Sequence, residues 1–429
     1  MRKIILLVLF FLLYGVLLAD KITQKISLEQ CQKMAKEYYP LSKEKEFLLE
    51  QNNLKLENLQ KNWWPQVSLN SQISYQSDVS KLPLKLPEIP GFNIELPEEP
   101  DKDKYSLTLD IKQTIYDGNL TKSLKNQQSS RTEADIASNE TELYKIRDIV
   151  NDLYFSILLM DAKQNILENS LTDLNDKMEI LKSGIRNGTV LQMQADVLEA
   201  EILNLNQQIG ETKTNRHSFV KSLSVYTGDN YDENVKLMIP DVVITNKLIN
   251  NRPEFNQFDL EKRFIRSSSD ILDSKKMPKV SLFGQLGYSK PGLDMFKNEF
   301  DAYAIGGVKA VWDITVFYTS RNENQLLSIG KDLVDVKKET FTKNLDAALV
   351  KLYSRIENFE NLLKTDESIV SLNENIIKTA ESQLINGVIN SIDYIGYTNR
   401  LTNSKLNMKN HEIMLLQAKI NYKTTQGEL

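Results

Sequence analysis

Pro65-Gln66-Val67-Ser68-Leu69-Asn70-Ser71-Gln72-Ile73-Ser74-Tyr75 and Pro278-Lys279-Val280-Ser281-Leu282-Phe283-Gly284-Gln285-Leu286-Gly287-Tyr288 are the stretches that decide the fold. In the first, apolar side chains fall mostly on odd positions and polar ones on even positions, the period of a strand with one greasy and one wet face. The second stands 213 positions later and repeats the pattern: Pro65, Val67, Ser68, Leu69, Gln72 and Tyr75 recur as Pro278, Val280, Ser281, Leu282, Gln285 and Tyr288. The same offset carries Pro40 to Pro253. A constant shift with that many identities marks an internal repeat.

The correspondence extends outward with small insertions. Ile115-Tyr116-Asp117 matches Val311-Trp312-Asp313, Asn187-Gly188 matches Asn386-Gly387, and Tyr226-Thr227-Gly228 matches Thr425-Gln426-Gly427. The chain therefore reads as two halves, 20–240 and 241–429, with the same order of elements. Each opens with a helix (27–62 and 245–276), followed by two strands (66–76 and 104–116; 279–289 and 302–312). Each closes with a long helical hairpin (119–228 and 318–425). Apolar parity shifts at Gly306-Gly307, which suggests a bulge there.

All eleven prolines fall at or before Pro100 or between Pro240 and Pro291. The stretches without them are rich in Leu, Lys, Glu and Asn and read as long helices. Leu167, Leu171, Leu174, Met178, Leu181 and Ile185 recur at steps of four and three, the seam of a coiled coil. Leu345, Leu349, Leu352, Ile356, Phe359 and Leu363 do so in the second half, where the row weakens at Asp366 and Asn373. Asn-Gly at each midpoint tolerates positive φ and lets the chain reverse.

Composition narrows the function. Arg2 and Lys3, an apolar run from Ile4 to Leu18, and Ala19 have the order of a secretory signal over residues 1–19. A retained anchoring helix is the alternative, but the run is shorter than the ~20 apolar residues a bilayer needs. Cys31 is the only cysteine, so no intrachain disulfide can form. His217 and His411 cannot make a His-rich metal site and read as surface helix residues. Removing the signal takes the net charge from −5 to −7, which argues against a nucleic-acid partner. No phosphate loop, nucleophile elbow or zinc signature is present, and Glu98-Glu99 lies in a proline-rich loop; no enzyme and no cofactor are expected.

Four strands of about the ~10 residues that cross a bilayer cannot close a barrel alone. Open edges in lipid cost several kcal/mol per unpaired backbone group, so membrane-spanning strands here require several chains to share one barrel. Two soluble hairpins packed on a helix are the alternative on strand pattern alone. An exported coiled-coil structural or adhesive protein is a rival that explains the signal and the heptads. A periplasmic adaptor is another, although one helical hairpin would suffice for it.

Tyr39-Pro40, Trp64-Pro65-Gln66-Val67, Ile115-Tyr116-Asp117-Gly118, Asn187-Gly188-Thr189-Val190 and Asn386-Gly387-Val388-Ile389, in this order, resemble the TolC outer-membrane factor family over nearly the whole mature chain. The resemblance implies a mainly α fold with a small β part and a two-fold internal repeat. Its long antiparallel helical hairpins would form an α-barrel, and its four strands would join a shared trimeric transmembrane β-barrel. It further implies a homotrimer in the lipid of the cell outer membrane with a long periplasmic extension. Such a trimer is the passive exit duct of a tripartite efflux or type I secretion system, working with a periplasmic adaptor (membrane fusion) protein and an inner-membrane pump. By resemblance, Asn187, Gly188, Thr189, Val190, Asn386, Gly387, Val388 and Ile389 form adaptor-docking tips. Asp196, Glu199 and Asp393 line the periplasmic aperture, with Asp196 and Asp393 in comparable places. Gly396 stands where the second half would carry the partner of Glu199.

Overall fold

The computed structural model describes residues 25–80, 100–244 and 250–428. The expected signal segment 1–19, most of the proline-rich loop and the expected helix start at 245 lie outside the described residues. The chain divides into two compact units. One comprises Met1–Lys45, Ala137–Asn256 and Lys338–Leu429; the other comprises Glu46–Ile136 and Gln257–Lys337.

In chain order the elements are β1 (Lys25–Ile26), α1 (Leu28–Tyr38), α2 (Glu44–Gln60), β2 (Gln66–Tyr75), β3 (Asp103–Tyr116), α3 (Leu120–Arg186) and α4 (Gln192–Thr227). The second half continues with β4 (Lys236–Leu237), α5 (Pro253–Lys275), β5 (Lys279–Lys290), β6 (Asp301–Val311), α6 (Val316–Ile385) and α7 (Ser391–Gln426). Ser27 caps α1 in a reciprocal box: its Oγ accepts from Gln30 N at 3.2 Å and its own N–H donates to Gln30 Oε1 at 2.9 Å.

Two expected helices are corrected. The single helix 27–62 is broken at Tyr39-Pro40. Tyr39 is extended (φ −61°, ψ 135°), and a 3-10 turn over Pro40–Lys43 leads into α2. The physical reason is the proline ring, which clashes with a helical preceding residue. The helix expected over 245–276 starts at Pro253, a residue whose fixed φ and missing N–H suit the first helical position.

The first unit is built of α-helical hairpins. It takes the larger part of α3 and α6, whose first residues, 120–136 and 316–337, belong to the other unit; in full they run for 67 and 70 residues, roughly 100 Å each at 1.5 Å per residue. One core gathers Leu28, Cys31, Val150, Tyr154, Ile157, Val220, Leu223 and Ile420. The parallel pair β1–β4 lies beside it, and the buried Tyr154 hydroxyl donates to Ile26 O at 2.8 Å and Met238 O at 2.6 Å. A second core joins Leu167, Leu174, Met178, Leu198 and Leu205 to Ala380, Leu384, Tyr394 and Ile395. Each fully buried side chain of this kind contributes about 1.5–3 kcal/mol.

The seam defect at Asp366 has a partner. Asp366 is buried and its Oδ2 lies 2.6 Å from His411 Nδ1, while the His411 ring packs 5.9 Å from Phe359. His411 is therefore not the surface residue its sequence context suggests: a buried carboxylate draws the imidazole into the hairpin. His217 is half-buried and its Nδ1 sits 3.1 Å from Glu233 Oε1.

In the second unit the strands form one antiparallel sheet in the order β2-β3-β5-β6, so β3 and β5 join the two repeats. The expected bulge at Gly306-Gly307 is absent. β6 pairs with β5 in unbroken register, Gly306 opposite Gly284 and Gly307 opposite Phe283. The irregularity falls instead between Thr114 and Tyr116 of β3. Glycine serves a different purpose here. A Cβ on Gly307 would lie 3.0 Å from the Phe283 ring, and one on Gly287 would overlap the Tyr303 ring. Each glycine leaves room for an aromatic ring from the neighbouring strand.

Candidate functional site

The sheet is turned inside out relative to a soluble protein. Its exposed face carries Leu69 at 69% and Ile73 at 75% exposure, with Val67, Leu107, Leu282, Leu286 and Val308 also exposed. Its other face holds the polar side chains, with Thr108, Ser281 and Ser289 buried. On that face Asp110 collects three donors from three strands: Asn70 Nδ2 at 2.5 Å, Gln285 Nε2 at 2.6 Å and Thr108 Oγ1 at 3.0 Å. A carboxylate so supplied with neutral donors ties β2, β3 and β5 in register.

Aromatic residues close both ends of the apolar face. Tyr75, Tyr105, Tyr288 and Phe300 gather at the loop end, where Tyr288 and Phe300 stack at 5.4 Å. Trp64, Tyr116 and Trp312 stand at the opposite end, where Trp312 Nε1 donates to Lys276 O at 2.9 Å. Aliphatic residues between two aromatic girdles match the cross-section of a bilayer. Sequence reasoning did not single out these girdles; the aromatic residues flanking each strand were the available signal. Among the described residues, no helix is long and apolar enough to cross a membrane.

In the first unit the hairpin reversals share one geometry. Gly188 (φ 72°) and Gly387 (φ 70°) each stand two residues beyond helices that end at Arg186 and Ile385. Gly188 N donates to Ile185 O and Thr189 N to Gly184 O; Gly387 N donates to Leu384 O and Val388 N to Gln383 O. Both reversals are therefore Schellman caps, in which a left-handed residue satisfies the last helical carbonyls. Asn187, Gly188, Thr189, Asn386, Gly387 and Val388 are exposed, and Val190 and Ile389 are half-buried against the shared core. Leu191 and Val388, at 68% and 70% exposure, cover nothing. The two tips meet, with the Ser391 hydroxyl donating to Gln194 Oε1 at 3.3 Å.

Asp196, Glu199 and Asp393 are all exposed, but the two aspartates are not equivalent. Asp196 is the fifth residue of α4 and Asp393 the third of α7, counted from Gln192 and Ser391. Helix-start register instead pairs Asp393 with Gln194 and Asp196 with the buried Ile395. The Asp393 N–H donates to its N-cap, Asn390 Oδ1, at 3.0 Å, and its carboxylate sits in a first helical turn, where the helix dipole favours negative charge. Asp196 accepts from Gln192 Nε2 at 2.8 Å.

A polar lock above the tips was not anticipated. The buried Tyr394 of α7 donates its hydroxyl to Asp173 Oδ2 of α3 at 3.0 Å. Lys177, one turn along α3 and only 7% exposed, pairs with Glu381 of α6 and lies 3.9 Å from Asp173. Burial holds the Tyr394 phenol well above its ordinary pKa, and the Asp173 carboxylate adds to the shift, so the hydroxyl stays a donor. In sequence Tyr394 reads as one more large residue on a helix face. Among the described residues, no group of three or more His, Cys, Asp or Glu side chains could hold a metal ion.

No family model and no curated protein matches the chain. Solved structures do. The outer membrane protein VceC from Vibrio cholerae superposes with a TM-score of 0.66 at 14% identity, covering 93% of this chain and 96% of VceC. The Campylobacter jejuni CmeC outer membrane channel gives 0.64 at 14% identity over 94% of this chain and 85% of CmeC. The open state of the Neisseria gonorrhoeae MtrE outer membrane channel gives 0.64 at 11% identity over 94% and 89%. A match of that extent shows that the chain has the fold of these outer membrane channels.

Proposed function

We propose that the chain is the outer-membrane channel subunit of a tripartite efflux or type I secretion system. It would act as a homotrimer whose four-stranded sheets join into one barrel, with the helical hairpins extending into the periplasm. The observation that carries this reading is the open sheet: an apolar face exposed between aromatic girdles, with β2 and β6 left as unpaired edges. An isolated edge invites pairing, and inside lipid it cannot stay open. Further copies of the same chain satisfy both edges and bury the apolar face in the bilayer. The polar face then lines the pore.

Transport through such a duct is passive, driven by a partner pump in the inner membrane. The tips, Asn187 to Val190 and Asn386 to Ile389, suit docking of a periplasmic adaptor because the exposed Leu191 and Val388 offer apolar contact with no role in the hairpin cores. Asp196, Glu199 and Asp393 are our candidates for the aperture, where carboxylates favour cations. Opening requires the α6–α7 tip to part from α3, so the Tyr394–Asp173 hydrogen bond and the Lys177–Glu381 pair would hold the resting state.

The test is direct. Membranes are extracted in detergent, and the protein is run unheated on a denaturing gel and reconstituted into planar bilayers. A heat-sensitive trimer with stepwise ion conductance is expected. A soluble monomer would sink the channel reading and favour an exported coiled-coil structural or adhesive protein.

A further inference from the structure

The two ends of the sheet differ in charge. At the loop end acidic residues outnumber basic ones, and Lys290 is neutralised by Asp101 at 2.9 Å. At the strand-start end the balance is reversed. There Lys61, Lys122 and Lys275 are exposed and form no ion pair with any described residue. They stand beside the aromatic girdle. Lys61 precedes Trp63 and Trp64, and Trp63 O accepts from Gln113 Nε2 at 2.5 Å. Lys275 precedes Lys276, whose carbonyl holds Trp312. Lys122 lies in the first turn of α3, four residues after Gly118, where a Cβ would meet Ser274 and Met277. The rim is thus one connected structure: strand ends, helix starts, indole rings and three unpaired ammonium groups.

We infer that this rim binds the anionic phospholipid headgroups of the leaflet it meets, through Lys61, Lys122 and Lys275. The inference rests on the sheet spanning a bilayer, as proposed above. A lysine at an interface lays its methylene stem along apolar surface and puts its ammonium at headgroup level. Indoles at the same depth fix that level. Each such cation near an anionic surface is worth about 1 kcal/mol, or roughly a 5-fold preference. Positive charge on one rim and negative charge on the other also gives the strands a fixed polarity across an asymmetric membrane.

The full-length oligomer is reconstituted into vesicles of phosphatidylcholine alone and of phosphatidylcholine with phosphatidylglycerol. It is then re-extracted, and the co-purifying lipid is counted by mass spectrometry. Enrichment of phosphatidylglycerol over its bulk fraction is expected, weakening as salt rises. The combined K61Q, K122Q and K275Q variant should insert equally well yet lose enrichment at least 10-fold. Lys102→Gln with Lys297→Gln at the other rim should leave enrichment unchanged. Insertion with equal retention of both lipids, or enrichment that survives the triple substitution, overturns the inference while leaving the channel reading intact. Failure to insert into either vesicle overturns both. Enrichment abolished only by the loop-end substitutions would assign the anionic contact to the opposite leaflet and also overturn it.

Discussion

The Tyr394 hydroxyl and the Asp173 carboxylate, 221 positions apart in sequence, meet at 3.0 Å and tie the first turn of α7 to α3. The bond joins the two halves of the repeat just above the tips. Tyr394→Phe keeps the ring in the core and removes only the hydrogen bond, a loss of about 0.5–1.5 kcal/mol. We expect a preserved oligomer with larger or more frequent conductance steps in planar bilayers. Conductance identical to the unmodified channel would remove Tyr394 from the gate.

Lys177 is buried, whereas its partner Glu381 is half exposed. Glu381→Ala leaves the ammonium with only the more distant Asp173. It should destabilise the helical unit by about 1–2 kcal/mol, because a buried charge without its partner costs more than the pair returned. The exposed pair Lys145–Glu142 is the control, and Glu142→Ala should change stability by less than about 0.5 kcal/mol. Denaturant midpoints measure both. Equal effects would mean that Lys177 is solvated.

Two kinds of cap glycine separate cleanly. Gly188 and Gly387 have positive φ and open space around the missing Cβ. Gly228 also has positive φ, but a Cβ there would overlap the Tyr38 ring, and at Gly427 it would lie 2.5 Å from Asn251 C. Asn tolerates left-handed backbone. Gly188→Asn should therefore cost about 1 kcal/mol or less, and Gly228→Asn about 2–3 kcal/mol. A comparison of thermal unfolding decides it; equal losses would refute the steric account.

In the sheet, Gly287→Ala drives a methyl into the Tyr303 ring. The heat-sensitive oligomer should disappear from unheated gels. Adding Tyr303→Ala should restore it, since the second change frees the space the first one fills. No rescue would show that the glycine is needed for something other than the ring.

Docking is tested on side chains that hold nothing else. Leu191→Asp with Val388→Asp should leave assembly and conductance intact while drug tolerance of cells falls to that of a deletion strain. Unimpaired tolerance would refute docking at the tips. Burial pushes the Cys31 thiol up to about 12. A thiol that holds its proton more tightly folded than unfolded adds stability that is complete below its unfolded value of ~8.5 and is lost as pH rises toward 12. Thiol reagents at pH 8 should react only after denaturant is added.

The strands and hairpins were legible because a period of two and a seam of three and four survive any context. Other features obeyed tertiary rules. Gly306-Gly307 looked like a bulge because parity alone cannot tell a kink from space left for the Phe283 ring. His411 and Asp366 looked like a solvated residue and a seam defect, although each explains the other. Asp196 and Asp393 looked matched because both follow an Asn-Gly tip, yet helix register separates them. The β1–β4 pair is two residues long and leaves no periodic trace.

The sheet's unpaired edges and outward apolar face set a requirement on supply. In the oligomer proposed above, β2 and β6 find partners only in other copies and Leu69 and Ile73 find cover only in lipid, so that reading predicts a native state that is not available at high dilution. Yield then depends steeply on how many chains are produced close together, and stability has no meaning apart from protomer concentration. Cells expressing this chain weakly would lose the assembled protein out of proportion to the message.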